Sequence, residues 1–236
     1  MSQSKPNSAF WSGFRAGSPF ILVVVPFALL FGAIATKAGL NIVETMSMTF
    51  LVIAGAAQFT AISLMQEHAP TFIVLLTALA VNLRMAMYSA ALVPHLGRAP
   101  LFIRVLMAYF MVDQAFAVAF QKYESAPEMT VAQKVRFYFG SLLPIIPLWY
   151  IFSYVGAVAG AMIPPEYSLD FAIPITFIAL TAPAMRSLPH FIAALVSVGA
   201  TLALIWVPYN LGLIIAALLA MIAGAGVEQK LKRRRA

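Results

Sequence analysis

Five polar side chains interrupt stretches that are otherwise apolar: Gln58, Asn82, Arg84, Tyr88 and Asp113. Polar groups at membrane depth are costly, and those that persist face a bundle interior or a water-filled cavity. Arg84 carries a planar fork of donors suited to holding a carboxylate by two parallel bonds. Asp113 is the acid placed well inside an apolar stretch, and desolvation raises the pKa of such a group, which suits it to take up and release a proton. Tyr88 follows Arg84 by four residues and shares its helical face. Asn82 precedes Arg84 by two, about 200° away on a regular helix, so the two share a cavity only at an unwound backbone or a narrow cleft. Gln58 ends the small-residue run Ala54-Gly55-Ala56-Ala57, where another helix can approach closely or the backbone can open. Two readings stay open: a binding site for a substrate carboxylate with a proton carrier beside it, or an Arg84–Asp113 pair and an interhelical glutamine that merely fasten helices.

Other chemistry has little support. His68, His95 and His190 are far apart, with no cluster of acids or cysteines at ligand intervals, so no metal site is expected. No HExxH, GxSxG or Walker sequence occurs, and Ser63, Ser89 and Ser153 have no evident base. The expectation is therefore a protein that is not an enzyme and needs no cofactor. The absence of cysteine removes disulfides and thiolate chemistry.

The elements that must position these residues are membrane helices. The chain has 236 residues, 62% hydrophobic and 10% charged, against about 25% charged in water-soluble domains. A soluble enzyme is excluded, and runs such as Phe20 to Ala35 are apolar all round, unlike the alternating strands of a barrel. The fold expected is an all-α, polytopic transmembrane bundle of about seven or eight helices. Helices are placed at roughly 18 to 37, 42 to 65, 70 to 93, 99 to 121, 133 to 162, 169 to 185, 189 to 207 and 210 to 227. Pro26, Pro144 and Pro147 predict kinks, and Pro174 and Pro183 make the sixth segment the weakest span. If 70 to 93 and 99 to 121 are full antiparallel crossings, Arg84 and Asp113 differ in depth by roughly 12 Å.

The domain layout expected is a polar cytoplasmic N-terminus over 1–17, a transporter domain over 18–227 and a basic tail over 228–236. Of the fifteen Lys and Arg, eight crossings put Lys5, Arg15, Lys122, Lys134, Arg136, Arg186 and the terminal cluster Lys230, Lys232, Arg233, Arg234, Arg235 on one side. Lys37 and Arg98 fall on the other. That asymmetry predicts cytoplasmic termini, and the basic tail is read as a lipid anchor rather than a nucleic-acid site. No cleavage site follows a separate apolar stretch, so the first helix is expected to be retained. Thr49-Phe50-Leu51-Val52-Ile53-Ala54 echoes Thr176-Phe177-Ile178-Ala179-Leu180-Thr181, and Pro70-Thr71-Phe72-Ile73 echoes Pro189-His190-Phe191-Ile192. The echoes fit either an internal repeat with a site at its interface or chance likeness between apolar segments.

Ala54-Gly55 with Gln58-Phe59, Asn82-Leu83-Arg84 with Tyr88-Ser89, Pro94-His95-Leu96, and Asp113 with Ala115-Phe116 form a recognisable series over about residues 10 to 120. It resembles the AzlC family, the large subunit of branched-chain amino acid exporters. Ala28, Met85 and Gln114 depart from the family pattern, which more often has Gly, His and Glu there; the last leaves Asp113 without a second acid. The resemblance implies secondary export of valine, leucine, isoleucine or methionine across the inner membrane, with a small AzlD-type membrane subunit. Substrate contacts would come from Arg84, Asn82, Gln58 and Tyr88, and proton coupling from Asp113. Rivals are an assembly subunit whose partner forms the pathway, and a channel.

Overall fold

A computed structural model describes residues 6–162, 185, 187–208 and 211–235. Nearly all of the expected 169-to-185 helix, Arg186 and the Thr176–Thr181 half of the echo lie outside the described residues. Among the described residues every regular element is helical: α1 (Pro6–Gly17), a 3-10 turn (Ser18–Phe20), α2 (Ile21–Lys37), α3 (Ile42–Leu51), α4 (Gly55–Gln66), α5 (Thr71–Leu96), α6 (Leu101–Tyr109), α7 (Asp113–Ser125), α8 (Val131–Leu142), α9 (Ile146–Met162), α10 (Leu188–Ala203) and α11 (Leu211–Arg235). Ser8–Lys37, Thr71–Leu96, Val131–Met162 and Leu211–Leu231 are each long and apolar enough to cross a bilayer. This is a membrane protein with a helical-bundle fold.

The chain gathers into two compact units, one of residues 1–59 and 81–167, the other of 60–80 and 168–236. The first is framed by two long helical elements, α1–α2 and α8–α9, lying side by side in parallel. Gly13 sits against Phe137 and Ser141, Gly17 against Ser141 and Pro144, Gly32 against Ser153 and Ala157, and Gly160 against Ala33 and Thr36. Contact partners advance together along both chains, which fixes the parallel sense. At most of these positions a Cβ would run into backbone, so glycine is what allows the axes to approach this closely. In the second unit α10 and α11 form an antiparallel pair, with Gly224 facing Ala193 and Gly212 facing Leu204.

The segments expected as single helices at 42 to 65 and 99 to 121 are both broken, at 52–54 and at 110–112. Side-chain contacts show what the breaks do. Along α5 and α7, Arg84 meets Asp113, Tyr88 meets Phe116, and His95 meets Phe120, Tyr123 and Glu124. The numbers rise together, so α7 runs parallel to α5. Two consecutive crossings would be antiparallel. Hence α6–α7 is a re-entrant hairpin: it enters from the face that holds the end of α5 and the start of α8, reverses at 110–112 and returns. At 1.5 Å per residue its tip lies about 18 Å below Ser125.

Its counterpart comes from the opposite face. Asn41, Ile42 and Val43 border Thr36 and Ala161 at the far ends of α2 and α9, while Phe50 packs on Tyr150 near the start of α9. So α3 descends antiparallel to α9. After the break Gly55 lies against Phe27 and Trp149, and Phe59 against Phe27 and Phe31, so α4 turns back parallel to α2.

Each break strands a carbonyl that a continuous helix would satisfy, and a tyrosine hydroxyl serves it. The Met111 N–H donates to Ala108 instead of Met107, and the buried Tyr138 hydroxyl donates to the Met107 carbonyl over 3.0 Å. The Tyr109 hydroxyl, at the tip of α6, donates to the Phe50 carbonyl at the end of α3. That bond ties the two hairpin tips together. Capping boxes fix two helix starts: Asn41 with Glu44 opens α3, and Thr130 with Gln133 opens α8.

One consequence corrects the charge map. Arg98 follows α5 directly, so it belongs to the face of Lys122 and Lys134 and not, as eight simple crossings require, to the face of Lys37. Because the natural chain has no cysteine, single replacements report sidedness directly. Arg98→Cys and Lys122→Cys should react with an impermeant thiol reagent from the same side, with Lys37→Cys reacting from the other; labelling of Arg98→Cys and Lys37→Cys from one side refutes the hairpin. Tyr138→Phe should lower stability by about 1–3 kcal/mol in a thermal or denaturant titration, because it leaves a buried carbonyl unserved.

Candidate functional site

Asp113 is the first residue of α7, preceded by Val112 in extended conformation. A carboxylate there is favoured by the partial positive charge of the helix start. The hairpin raises it to the depth of Arg84 on α5, and Arg84 Nη1 lies 3.1 Å from Asp113 Oδ2. The 12 Å offset expected from two full crossings is thus absent, because 99 to 121 is a folded-back pair of short helices. The expected Arg–Asp contact forms, but through a hairpin tip.

The pair is not sealed. Arg84 keeps 30% and Asp113 40% of its side-chain surface uncovered. Nor are its bonds complete: Arg84 Nε and Asp113 Oδ1 are shielded from solvent yet have no hydrogen-bond partner, as does Asn82 Oδ1. α5 runs as regular helix through Asn82 and Arg84, so the unwinding that would bring them to one face is not there. Tyr88 stacks flat on Phe116 with ring centroids 4.0 Å apart and planes 10° apart. Phe116 in turn stacks on Phe120 at 5.5 Å, so the pair is followed towards the hairpin's open end by an aromatic ladder. Ser89 Oγ lies 3.7 Å from Met111 Sδ in the break itself.

The ladder ends in a cluster that residue spacing did not single out. His95 Nε2 is 3.1 Å from Glu124 Oε1, and His95 Nδ1 is 3.3 Å from Lys134 Nζ. The Tyr123 hydroxyl donates to the Lys134 carbonyl over 2.7 Å, and the Lys134 ammonium stands 5.4 Å from the Tyr123 ring centroid. These contacts join the end of α5, the end of α7 and the start of α8, holding the hairpin at its open end. Separations of 29 and 39 residues hide the cluster in a linear reading. Among the described residues no group of three His, Asp or Glu side chains is arranged to hold a metal.

Gln58 lies elsewhere, one turn into α4. It is fully buried, and neither its amide nitrogen nor its oxygen has a partner. Of the sequence candidates, Arg84, Asp113 and Tyr88 form one locus, Asn82 adjoins it on another face of α5, and Gln58 belongs to the tip of the other hairpin.

Both hairpins and the α2, α8 and α9 parts of the frame fall within residues 19–163, which match the profile of the AzlC protein family. The chain belongs to that family. AzlC proteins are membrane proteins linked to transport. A relative described as an "Uncharacterized membrane protein" of Archaeoglobus fulgidus is 29% identical over 198 residues, 82% of this chain and 83% of its own length. The "Inner membrane protein YgaZ" of Escherichia coli is 29% identical over 122 residues, 51% of this chain and 50% of its own. No solved structure matches. The AzlC match places the Arg84–Asp113 pair and the tip of each hairpin inside the family region, with α10 and α11 beyond it.

A double-mutant cycle on Arg84→Met and Asp113→Leu should give a coupling energy of about 1 kcal/mol in detergent, at the modest end for a partly uncovered contact. Additive stability changes would mean the two charges do not interact.

Proposed function

We propose that this protein is a secondary transporter, not an enzyme, that exports branched-chain and similar hydrophobic amino acids. Valine, leucine, isoleucine and methionine are the expected substrates. The observation that carries the reading is an Arg–Asp pair at the tip of a re-entrant hairpin, near mid-depth, with bonding capacity left over. Irregular backbone at that depth is tolerated where it is buried in protein or lines a cavity. Transporters use such broken helices to expose binding groups near the midplane.

In this mechanism the substrate carboxylate displaces Asp113 from the Arg84 guanidinium and takes its place as a bidentate partner. Asp113, freed, accepts a proton or faces the substrate ammonium. Reformation of the ion pair expels the carboxylate, so protonation of Asp113 and occupancy of Arg84 are coupled. Tyr88 and Phe116 give the adjoining wall. The uncovered surface of the pair is unsuited to hydrocarbon, where a guanidinium is costly. It faces an aqueous path or a second protein, and a small AzlD-type subunit is the partner we assign to it.

The protein resides in the inner membrane, as the name of the Escherichia coli relative says of that protein. Moving Arg98 to the face of Lys122 and Lys134 sharpens the charge asymmetry, and the positive-inside rule makes that face cytoplasmic. The N-terminus lies with it, and the basic C-terminal tail is assigned there too.

The same 3.1 Å contact favours a second reading, in which the pair only fastens the hairpin to α5. Counterflow of labelled leucine in proteoliposomes, with and without the partner and at imposed pH differences, separates the two. Arg84→Lys and Asp113→Asn proteins that insert normally should lose about tenfold or more of the saturable flux, the equivalent of one strong hydrogen bond. The exchanged pair Arg84→Asp with Asp113→Arg should stay inactive in a carrier and recover in a fastener. Wild-type rates in both single variants overturn the proposal.

A further inference from the structure

The tip of the α3–α4 hairpin holds a second set of polar groups that the Arg84–Asp113 site does not use. Trp149 and Ser153 lie one turn apart on α9, and Gln58 lies one turn after Gly55 on α4. Gly55 abuts Phe27 and Trp149, with an added Cβ only 2.9 Å from Trp149 Cη2, so these faces of α4 and α9 look at each other. Trp149 is 6% exposed, and Gln58 and Ser153 are fully buried. Yet Trp149 Nε1, Ser153 Oγ and both polar atoms of the Gln58 amide have no hydrogen-bond partner.

Orphan polar groups at such depth are rare, and each costs about 1–3 kcal/mol unless something serves it. Three such residues on the facing sides of α4 and α9 exceed what tight packing explains, since apolar replacements of similar shape would be cheaper. Around them stands an aromatic box. Phe27 and Phe59 meet edge to face at 4.8 Å, Phe31 stacks on Trp149 at 6.0 Å, and Phe31 meets Phe59 at 5.9 Å. The donor set is neutral and donor-rich: an indole N–H, a hydroxyl and an amide NH₂, with one amide carbonyl. That set suits the oxygens of a carboxylate, and the rings suit a branched alkyl chain.

We propose that the α3–α4 tip is a second binding site for an amphiphilic carboxylate, in which Gln58, Trp149 and Ser153 take the carboxylate and Phe27, Phe31 and Phe59 take the hydrocarbon. The identity of the solute as a hydrophobic amino acid rests on the transport reading above. In the state described here Gly55 is packed flush against Phe27 and Trp149, so occupancy accompanies a withdrawal of the tip from the box. The site lacks a partner for an ammonium beyond one amide oxygen, so isocaproate, which is leucine without its amino group, should bind there too.

The test is ligand-dependent thermal stabilisation of the purified chain with leucine and, separately, isocaproate, alongside counterflow. Both probes should stabilise wild type saturably. The Gln58→Leu, Ser153→Ala double variant should be as stable as wild type or more so without ligand, yet bind both probes about tenfold more weakly. Trp149→Phe, which keeps the ring and removes the N–H, should weaken binding in the same direction and guards against a double variant that fails to fold. Unchanged affinities for both probes in these variants overturn the proposal while leaving counterflow, and so the transport reading, intact. Isocaproate binding that depends on these three residues, without counterflow of any amino acid, sinks the transport reading and leaves the site standing.

Discussion

Hydrocarbon offers nothing to a bare peptide group, and that constraint governs the architecture. An unsatisfied N–H or C=O inside a bilayer costs several kcal/mol, so a helix may be interrupted only where protein surrounds the interruption. Among the described residues two expected spans are broken and folded back on themselves, at 52–54 and at 110–112, and the rest of the first unit shelters them. The parallel frame of α1–α2 and α8–α9 supplies one wall. Tyr138 and Tyr109 supply hydroxyls for the two stranded carbonyls at Met107 and Phe50. The glycines along the frame let its backbones approach closely.

The polar residues acquire their meaning from that shelter. Asp113 stands in the first turn of α7, where the partial positive charge of the helix start favours an anion. Arg84 then finds its counter-charge without a long reach. The aromatic ladder of Tyr88, Phe116 and Phe120, with ring pairs worth about 0.5–1.5 kcal/mol each, holds α7 against α5 between the ion pair and the His95–Glu124–Lys134 clasp. A hairpin fixed at both ends of one seam is a unit that can shift as a whole.

Much of this was legible in the residues, though not all of it. Composition and hydropathy point to a helical membrane bundle, and residue type singles out Arg84, Asp113, Gln58, Asn82 and Tyr88 as polar groups in apolar stretches, of which the fold brings Arg84 and Asp113 into contact. The run Ala54–Ala57 marks a place where the backbone can open, and the break at 52–54 ends on its first residue while Gly55–Ala57 are already helical. The break at 110–112 carries neither glycine nor proline, so hydropathy ran straight through it. The one local hint was an acid standing as the first residue of a helix, a position its charge prefers. Folding a hydrophobic segment back on itself changes no composition and no periodicity. Which face a segment returns to is decided by tertiary contacts, so hydropathy alone places Arg98 opposite Lys122 and Lys134 whereas the hairpin places it with them.

The order in which the walls appear bears on how the protein is made. The break at 52–54 leaves the ribosome well before Trp149 and Ser153, which complete its enclosure from α9. With chain growth at about 5–20 residues per second, roughly 5–20 s separate the two. During that interval the α3–α4 segment has no protected place in the lipid interior. It must wait in the headgroup zone or in the custody of the insertion machinery, and slide inward only when the last frame helix arrives.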